Sequence, residues 1–290
     1  MIAWVNYLKR ATGFLLLGSV MSFASANEEI VVWDRLADNP VAYKILELAL
    51  DKTADSYGAY HLVASTKMEQ GRAVVQLKAN RAIDIASFAP NKAREESLLP
   101  IRIPVTQGLL GYRVCLIKKG TQKKFNGIKT LNNFKGKGLT IGQGKGWPDT
   151  EVLEANGLTV IKSAKYKTLF NMLERQRFDC FSRSISEVKP ELEQYSELAL
   201  EESLLFVYRL PTFFFVSQSN TELAKRVEKG LQLAYQDGSI SNLIHANYKT
   251  LFKALNISQR TLIDLENPFL SDKTKVAFNS FEHWLDIKDY

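Results

Sequence analysis

Apolar positions along the chain follow two rhythms. Short continuous apolar runs read as buried strands, and longer segments with apolar residues three or four apart read as amphipathic helices. Glu29–Trp33 reads as a strand. After the polar turn Asp34–Asn39, Pro40 opens a helix where its missing N–H costs nothing, with Val41, Ile45 and Leu48 on one face. Tyr60–Ala64 is a second strand, Met68–Asn80 a second helix and Ile83–Ser87 a third strand. This order predicts a parallel sheet covered by helices.

A long apolar segment, Leu98–Ile117, and a surface loop, Lys118–Asn126, precede a second unit of the same kind. Its strands are Leu139–Gly142, Thr159–Ile161 and Phe178–Phe181. Between them lie the glycine-rich turn Gln143–Gly146, a helix over Thr150–Asn156, and an amphipathic helix over Tyr166–Arg177 with Leu169, Met172 and Leu173 inward. Leu204–Val216 is apolar with strong β propensity and carries the chain back. A helix over Thr221–Gln236 stops at the C-cap signal Asp237-Gly238, another covers Ser239–Tyr248, and the tail to Tyr290 reads as irregular. The pattern predicts an α/β protein of two lobes joined by two crossing hinge segments, near residues 110–118 and 205–216. Residues 27–112 and 213–290 form the first lobe and 113–212 the second.

The first residues do not belong to this alternation. Lys9-Arg10 precedes an uncharged apolar run, Ala11–Phe23, then the small residues Ala24-Ser25-Ala26 and the polar Asn27-Glu28-Glu29. That is the order of a cleavable secretory signal, cut after about Ala26. The apolar run, about 13 residues, is too short for a membrane anchor, which needs roughly 20. The cleavage site has no Cys for a lipid anchor, so the mature product is expected to be a soluble periplasmic protein. Cys115 and Cys180 lie in the apolar runs VCLI and FDCF. A bridge is open to them in an oxidising compartment, but the surroundings favour two free buried thiols. Three scattered histidines give no metal-site spacing, and nothing suggests a cofactor. The formal charge is +7, much of it in a lysine-rich stretch from Lys118 to Lys145 that reads as a solvated face or a surface for an anionic partner. No basic–aromatic motif points to nucleic acid.

Three stretches, taken in order, resemble the family 3 type of periplasmic solute-binding proteins, the amino-acid-binding proteins and their relatives. They are LNNFKGKGLTIGQGKGWPDTEVL, KTLFNMLERQRFDCFSRS and LAKRVEKGLQLAYQDGSISNLIHANY. The likeness spans about residues 28–250. It implies a two-lobed "Venus flytrap" that works as a monomer and buries a small ligand by hinge closure.

In this resemblance Arg94, a few residues past the third strand, matches the arginine that holds a ligand carboxylate, a task suited to a planar guanidinium. Its alternative is a surface arginine paired with Glu95 or Glu96. Ser87 and Phe88 at the strand end, and Trp33 and Asp34 at the end of the first strand, join it on the first-lobe rim, although Trp33 could equally be core. On the second lobe the turn carrying Lys145 and Trp147 faces the cleft. Amino-acid binders place a hydroxyl residue there and, after the next strand, a carboxylate for the ligand ammonium. This chain has Lys145 to Pro148 at the first place and Ser182, Arg183 and Ser184 at the second. The cationic groups Arg94, Arg183 and Lys145 therefore point to a carboxylate-bearing or anionic ligand, with Arg183 as a structural ion pair the plainer reading. The implied role is delivery to an ABC-type importer. A sensor partner of a membrane receptor is the second reading. A dehydratase-like enzyme, with Glu187 as general acid, is the third. The protein is otherwise expected not to be an enzyme. The tail from Leu255 reads as a strap on the first lobe through Pro268, Phe269 and Trp284.

Overall fold

The computed structural model describes residues 28–287, and the expected leader lies outside them. Strands and helices are numbered in chain order. The first sheet holds β1 (Glu28–Val32), β2 (Tyr60–Ala64), β3 (Ile85–Phe88), β4 (Leu99–Ile101) and β11 (Phe213–Val216) in the order β2-β1-β3-β11-β4. β2, β1 and β3 are parallel, and β11 runs antiparallel between β3 and β4. The four residues of β11, Phe-Phe-Phe-Val, are all buried, as a strand covered on both faces requires. Around this sheet lie α1 (Asp34–Ala37), α2 (Pro40–Asp51), α3 (Ala54–Tyr57), α4 (Gln70–Lys78), α5 (Lys92–Ser97), α10 (Thr221–Gln236), α11 (Ser239–Ala254) and α12 (Asp272–Ser280). Pro40 stands at the first turn of α2, and Asn39 caps it by accepting from the Ala42 N–H at 3.1 Å.

The second sheet holds β5 (Tyr112–Lys118), β6 (Thr140–Gly144), β7 (Thr159–Ser163), β8 (Cys180–Ser184), β10 (Leu204–Val207) and β12 (Thr261–Asp264) in the order β12-β10-β5-β8-β6-β7, and β9 (Leu198–Leu200) pairs with β5. Its helices are α6 (Leu131–Gly136), α7 (Pro148–Ala155), α8 (Tyr166–Glu174) and α9 (Val188–Gln194). The apolar segment Leu98–Ile117 is divided between the lobes: β4 belongs to the first sheet and β5 to the second. The return runs from β10 to β11. These two passes touch where Tyr208 N–H donates to the Gly111 carbonyl at 3.1 Å. A Cβ on Gly111 would lie 2.1 Å from the Tyr208 carbonyl oxygen, so only glycine lets the crossings run this close.

Three expectations need correction. β8 begins at Cys180 and continues through Ser184, so Ser182, Arg183 and Ser184 are strand residues and not a loop after the strand. Antiparallel pairing with β5 extends the strand, with Arg113 opposite Ser184 and Val114 opposite Arg183. Second, Cys115 and Cys180 form a disulfide, with Cα atoms 4.9 Å apart. Pairing of β5 with β8 brings together thiols 65 residues apart, which local apolar context cannot register.

The tail is the third correction. It is ordered, and it does not stay on the first lobe. β12 pairs in parallel with β10 of the second sheet, and the Asn156 side chain donates to and accepts from the Glu266 backbone. The chain then returns to the first lobe. There the half-exposed edge of α12 is pinned by a buried Glu95 carboxylate that accepts from Ser271, Thr274 and Arg102. Trp284 packs on Gly108 and Phe278, and the Leu285 N–H donates to the Gln107 carbonyl at 3.1 Å. The chain therefore passes between the lobes twice more than expected. Among the described residues no helix is long and apolar enough to cross a membrane.

Replacing both Cys115 and Cys180 by Ala is expected to lower unfolding free energy by roughly 2–4 kcal/mol, measured by denaturant titration. A second outcome concerns Asp179, which accepts from Thr140 N–H at 3.0 Å and from Lys124 at 2.7 Å. Burial pushes its carboxyl up, but Lys124 and Thr140 outweigh burial and hold it below the usual range. The stability it contributes is therefore present at neutral pH and lost as pH falls through the lowered value. In Asp179→Asn, thermal stability should be lower at pH 7 and should decline less steeply between pH 5 and 3 than in the parent, on the order of the 1–3 kcal/mol of a charged hydrogen bond.

Candidate functional site

A cavity of about 1090 Å³ lies between the two sheets. The carboxyl ends of β1 and β3 supply its first-lobe wall, and the end of β6 with the start of α7 supplies much of the second, the usual place for a ligand at open α/β sheets. Trp33, Asp34, Ser87, Phe88, Trp147 and Arg183 all line it. Trp33 is both core and lining: it is buried, its ring sits 4.9 Å from that of Phe88, and its indole N–H donates to the Met68 carbonyl. Asp34 accepts from the Met68 N–H at 3.2 Å, which fixes the rim after β2.

The remaining three expected residues stand elsewhere. Lys145 is exposed and is not part of the lining. Ser184 is fully buried behind it, its hydroxyl donating to the Leu109 carbonyl at 3.0 Å in the hinge. Arg94 is buried one layer behind Phe88 and Ala89. Its guanidinium lies 4.7 Å from the Phe88 ring centre, its Nη1 donates to the Ala89 carbonyl, and its Nε has no partner. Glu95 is engaged with Arg102 and the tail. Among the described residues no carboxylate pairs with Arg94, so the alternative of an ion pair with Glu95 or Glu96 does not hold. Burial pushes its guanidinium down to about 10.

The second-lobe wall is a continuous charged network. Arg113, 1% exposed on β5, binds Asp149 at 2.8 Å, and Asp149 also accepts from the Tyr208 hydroxyl at 2.6 Å. Arg113 further donates to the Leu110 carbonyl and lies 3.8 Å from Glu187. Arg183 binds Glu187 at 3.2 Å and Glu191 at 2.7 Å, and Tyr166 donates to the same Glu191 oxygen. The Arg183 guanidinium also stands 5.1–5.3 Å from the ring centres of Phe181, Trp147 and Tyr166. Gly144 makes room for this packing, since a Cβ there would lie 2.3 Å from the Trp147 indole. Burial alone would push Arg183 down, but Glu187 and Glu191 reverse the shift and hold it well above its ordinary value. Burial pushes Glu187 up, and Arg183 and Arg113 outweigh it, so its carboxyl stays below the usual range. Glu191 is raised by burial, and its Oε2 has no partner. Two guanidinium charges thus face three carboxylates, and Arg183 contributes no spare positive charge to the cleft.

Sequence reasoning missed Arg113, Asp149, Glu191, Tyr166 and Arg35. Arg113 carried a readable signal, a lone charge inside the apolar run GYRVCLI. Arg35 carried none. It leaves the first lobe paired with Glu69 and places its guanidinium 5.7 Å from the Trp33 ring centre and 5.8 Å from that of Tyr166 on the second lobe, bridging the cleft. No group of His, Cys, Asp and Glu suited to a metal ion is found among the described residues. Arg183→Ala would leave Glu191 and Glu187 without their shared cation. It is expected to cost about 3–5 kcal/mol of stability in denaturant unfolding, whereas Lys145→Ala should change it by less than about 0.5 kcal/mol.

No protein-family profile and no curated protein matches the chain. Solved structures do. An ancestral arginine-binding protein bound to arginine superposes with a TM-score of 0.54 at 17% identity, covering 78% of this chain and 98% of that one. An amino acid ABC transporter substrate-binding protein from Streptococcus pneumoniae bound to L-arginine gives 0.53 at 14% identity, covering 77% and 95%. A protein from a study of glutathione import by GshT and a cystine ABC importer in Streptococcus mutans gives 0.53 at 13% identity, covering 86% and 100%. The chain has the two-lobed fold of the substrate-binding proteins of amino-acid ABC transporters.

Proposed function

We propose that this protein is a periplasmic solute-binding protein that closes on a small polar, carboxylate-bearing solute and hands it to an ABC-type importer. The observation that carries this reading is the interlobe cavity walled by strand ends from both sheets, with Arg94 behind its first-lobe wall as a buried cation lacking a carboxylate partner. A buried guanidinium is costly unless paired, and a ligand carboxylate seated at the Phe88–Ala89 rim in front of it supplies the missing charge. The compensated network on the opposite wall argues for a ligand that carries one carboxylate together with neutral or cationic groups, and against a strongly anionic one. Substrate-binding proteins with this fold serve amino-acid importers, and the leader expected at residues 1–26 would export the chain.

The enzymatic reading with Glu187 as general acid finds no support in the site. A general acid must hold a proton near neutral pH, and Glu187 is ionised between Arg183 and Arg113. The reading is tested on the solute that co-purifies with the protein. Arg94→Ala is expected to weaken binding of that solute about a hundredfold or more, the loss of a charge-assisted pair, with the circular dichroism spectrum unchanged. Arg94→Lys, which keeps the charge without the fork, should fall between. Full affinity in Arg94→Ala would sink the assignment.

A further inference from the structure

Two helices from opposite lobes turn matching faces to the cleft. From α9 and its preceding residue come Glu187, Pro190, Glu191 and Gln194, and from α11 come Asn247, Thr250, Leu251 and Ala254. Both sets have i, i+3, i+4, i+7 spacing, one face of a helix in each case. The cleft therefore does not end at the strand-end rim of Trp33, Phe88 and Trp147. It continues between two helices, where Tyr248 of α11 and Ser186 ahead of α9 also line it. From Asn247 to Ala254 the channel runs about 10 Å at 1.5 Å per residue. An extended peptide covers that length in about three residues at roughly 3.3 Å each.

The volume agrees. With Arg35 already reaching the Tyr166 ring across the lobes, about 1090 Å³ remains. Allowing about 30 Å³ per non-hydrogen atom, the share of one water in the liquid, a ten-atom amino acid fills under a third of this. Clefts of roughly 300–1,000 Å³ take drug-sized ligands. Beside the charged Glu187, Lys189 and Glu191, the channel side chains Gln194, Asn247 and Thr250 are neutral hydrogen-bonding groups, suited to amide linkages, and Leu251, Pro190 and Ala254 give apolar contact between them.

We infer that the cleft takes a short peptide-like solute of two or three residues, whose carboxylate is directed to the first-lobe rim and whose length lies between α9 and α11. The inference rests on the solute-binding reading above. The test is competition of a mixed-sequence dipeptide and tripeptide library against the standard free amino acids on the mature protein, with bound compounds identified by mass spectrometry and affinities measured by calorimetry. The expected result is a retained peptide bound at least tenfold tighter than any free amino acid. In Thr250→Trp, which fills the channel from an exposed helix position, peptide affinity should drop at least tenfold at an unchanged melting temperature. A free amino acid bound as tightly as every peptide overturns the inference and leaves the solute-binding reading standing. Peptide affinity unaffected by Thr250→Trp also overturns it. Retention of neither class overturns both.

Discussion

Burial of the Arg113 guanidinium is the constraint around which the hinge and the second-lobe wall are arranged. An unpaired guanidinium at this depth would cost several kcal/mol, so its surroundings are committed to it. Asp149 at the start of α7 neutralises it, Leu110 and Ser182 offer carbonyls, and Tyr208 completes the coordination of Asp149. These partners come from both passes between the lobes, from the first turn of α7 and from the middle of β8. One side chain thereby fixes where the hinge strands lie relative to the cleft. Fixed polar groups around a hinge allow the lobes to rotate without the wall losing its shape, which is what ligand capture by closure needs.

The same network explains the electrostatics of the cleft. Arg183 looks like an anion-binding residue when read as a single charge. In place, it is sandwiched among Trp147, Tyr166 and Phe181 and shared by two carboxylates, and its contribution is to hold α9 against β8. A buried positive charge without a carboxylate partner sits across the cleft at Arg94, against the Phe88 ring. Charge complementarity is thus asymmetric: the first lobe holds a buried cation without a carboxylate partner, and on the second the three cations Arg113, Arg183 and Lys189 match the three carboxylates Asp149, Glu187 and Glu191. A ligand with a carboxylate at one end and amide or cationic groups along its length fits that asymmetry better than a polyanion.

The tail ties the two lobes together. β12 is part of the second sheet, and α12 with Trp284 is part of the first lobe's surface. Asn156 on the second lobe and Glu95 on the first hold its middle by side-chain hydrogen bonds, at Glu266 and at Ser271 and Thr274. Two additional passes beside the hinge restrict the directions in which the lobes can separate.

Local pattern was sufficient for much of this. Periodicity located the longer strands and helices of residues 28–250, because amphipathic spacing is set by the same burial that forms the core, but it read the short α1 as a polar turn and passed over α3, α5, α9, β4 and β9; the family resemblance, not the periodicity, put Trp33, Ser87, Phe88 and Trp147 at a cleft. What local pattern could not determine depended on partners distant in the chain. β8 reaches Ser184 because β5 extends it, Cys115 meets Cys180 because those strands pair, and the tail forms β12 because β10 offers an edge 57 residues earlier. Arg94 and Arg183 are equal charges in sequence. Only the tertiary structure decides that one finds two carboxylates and the other none, because the energy of a buried charge is set by its neighbours in space.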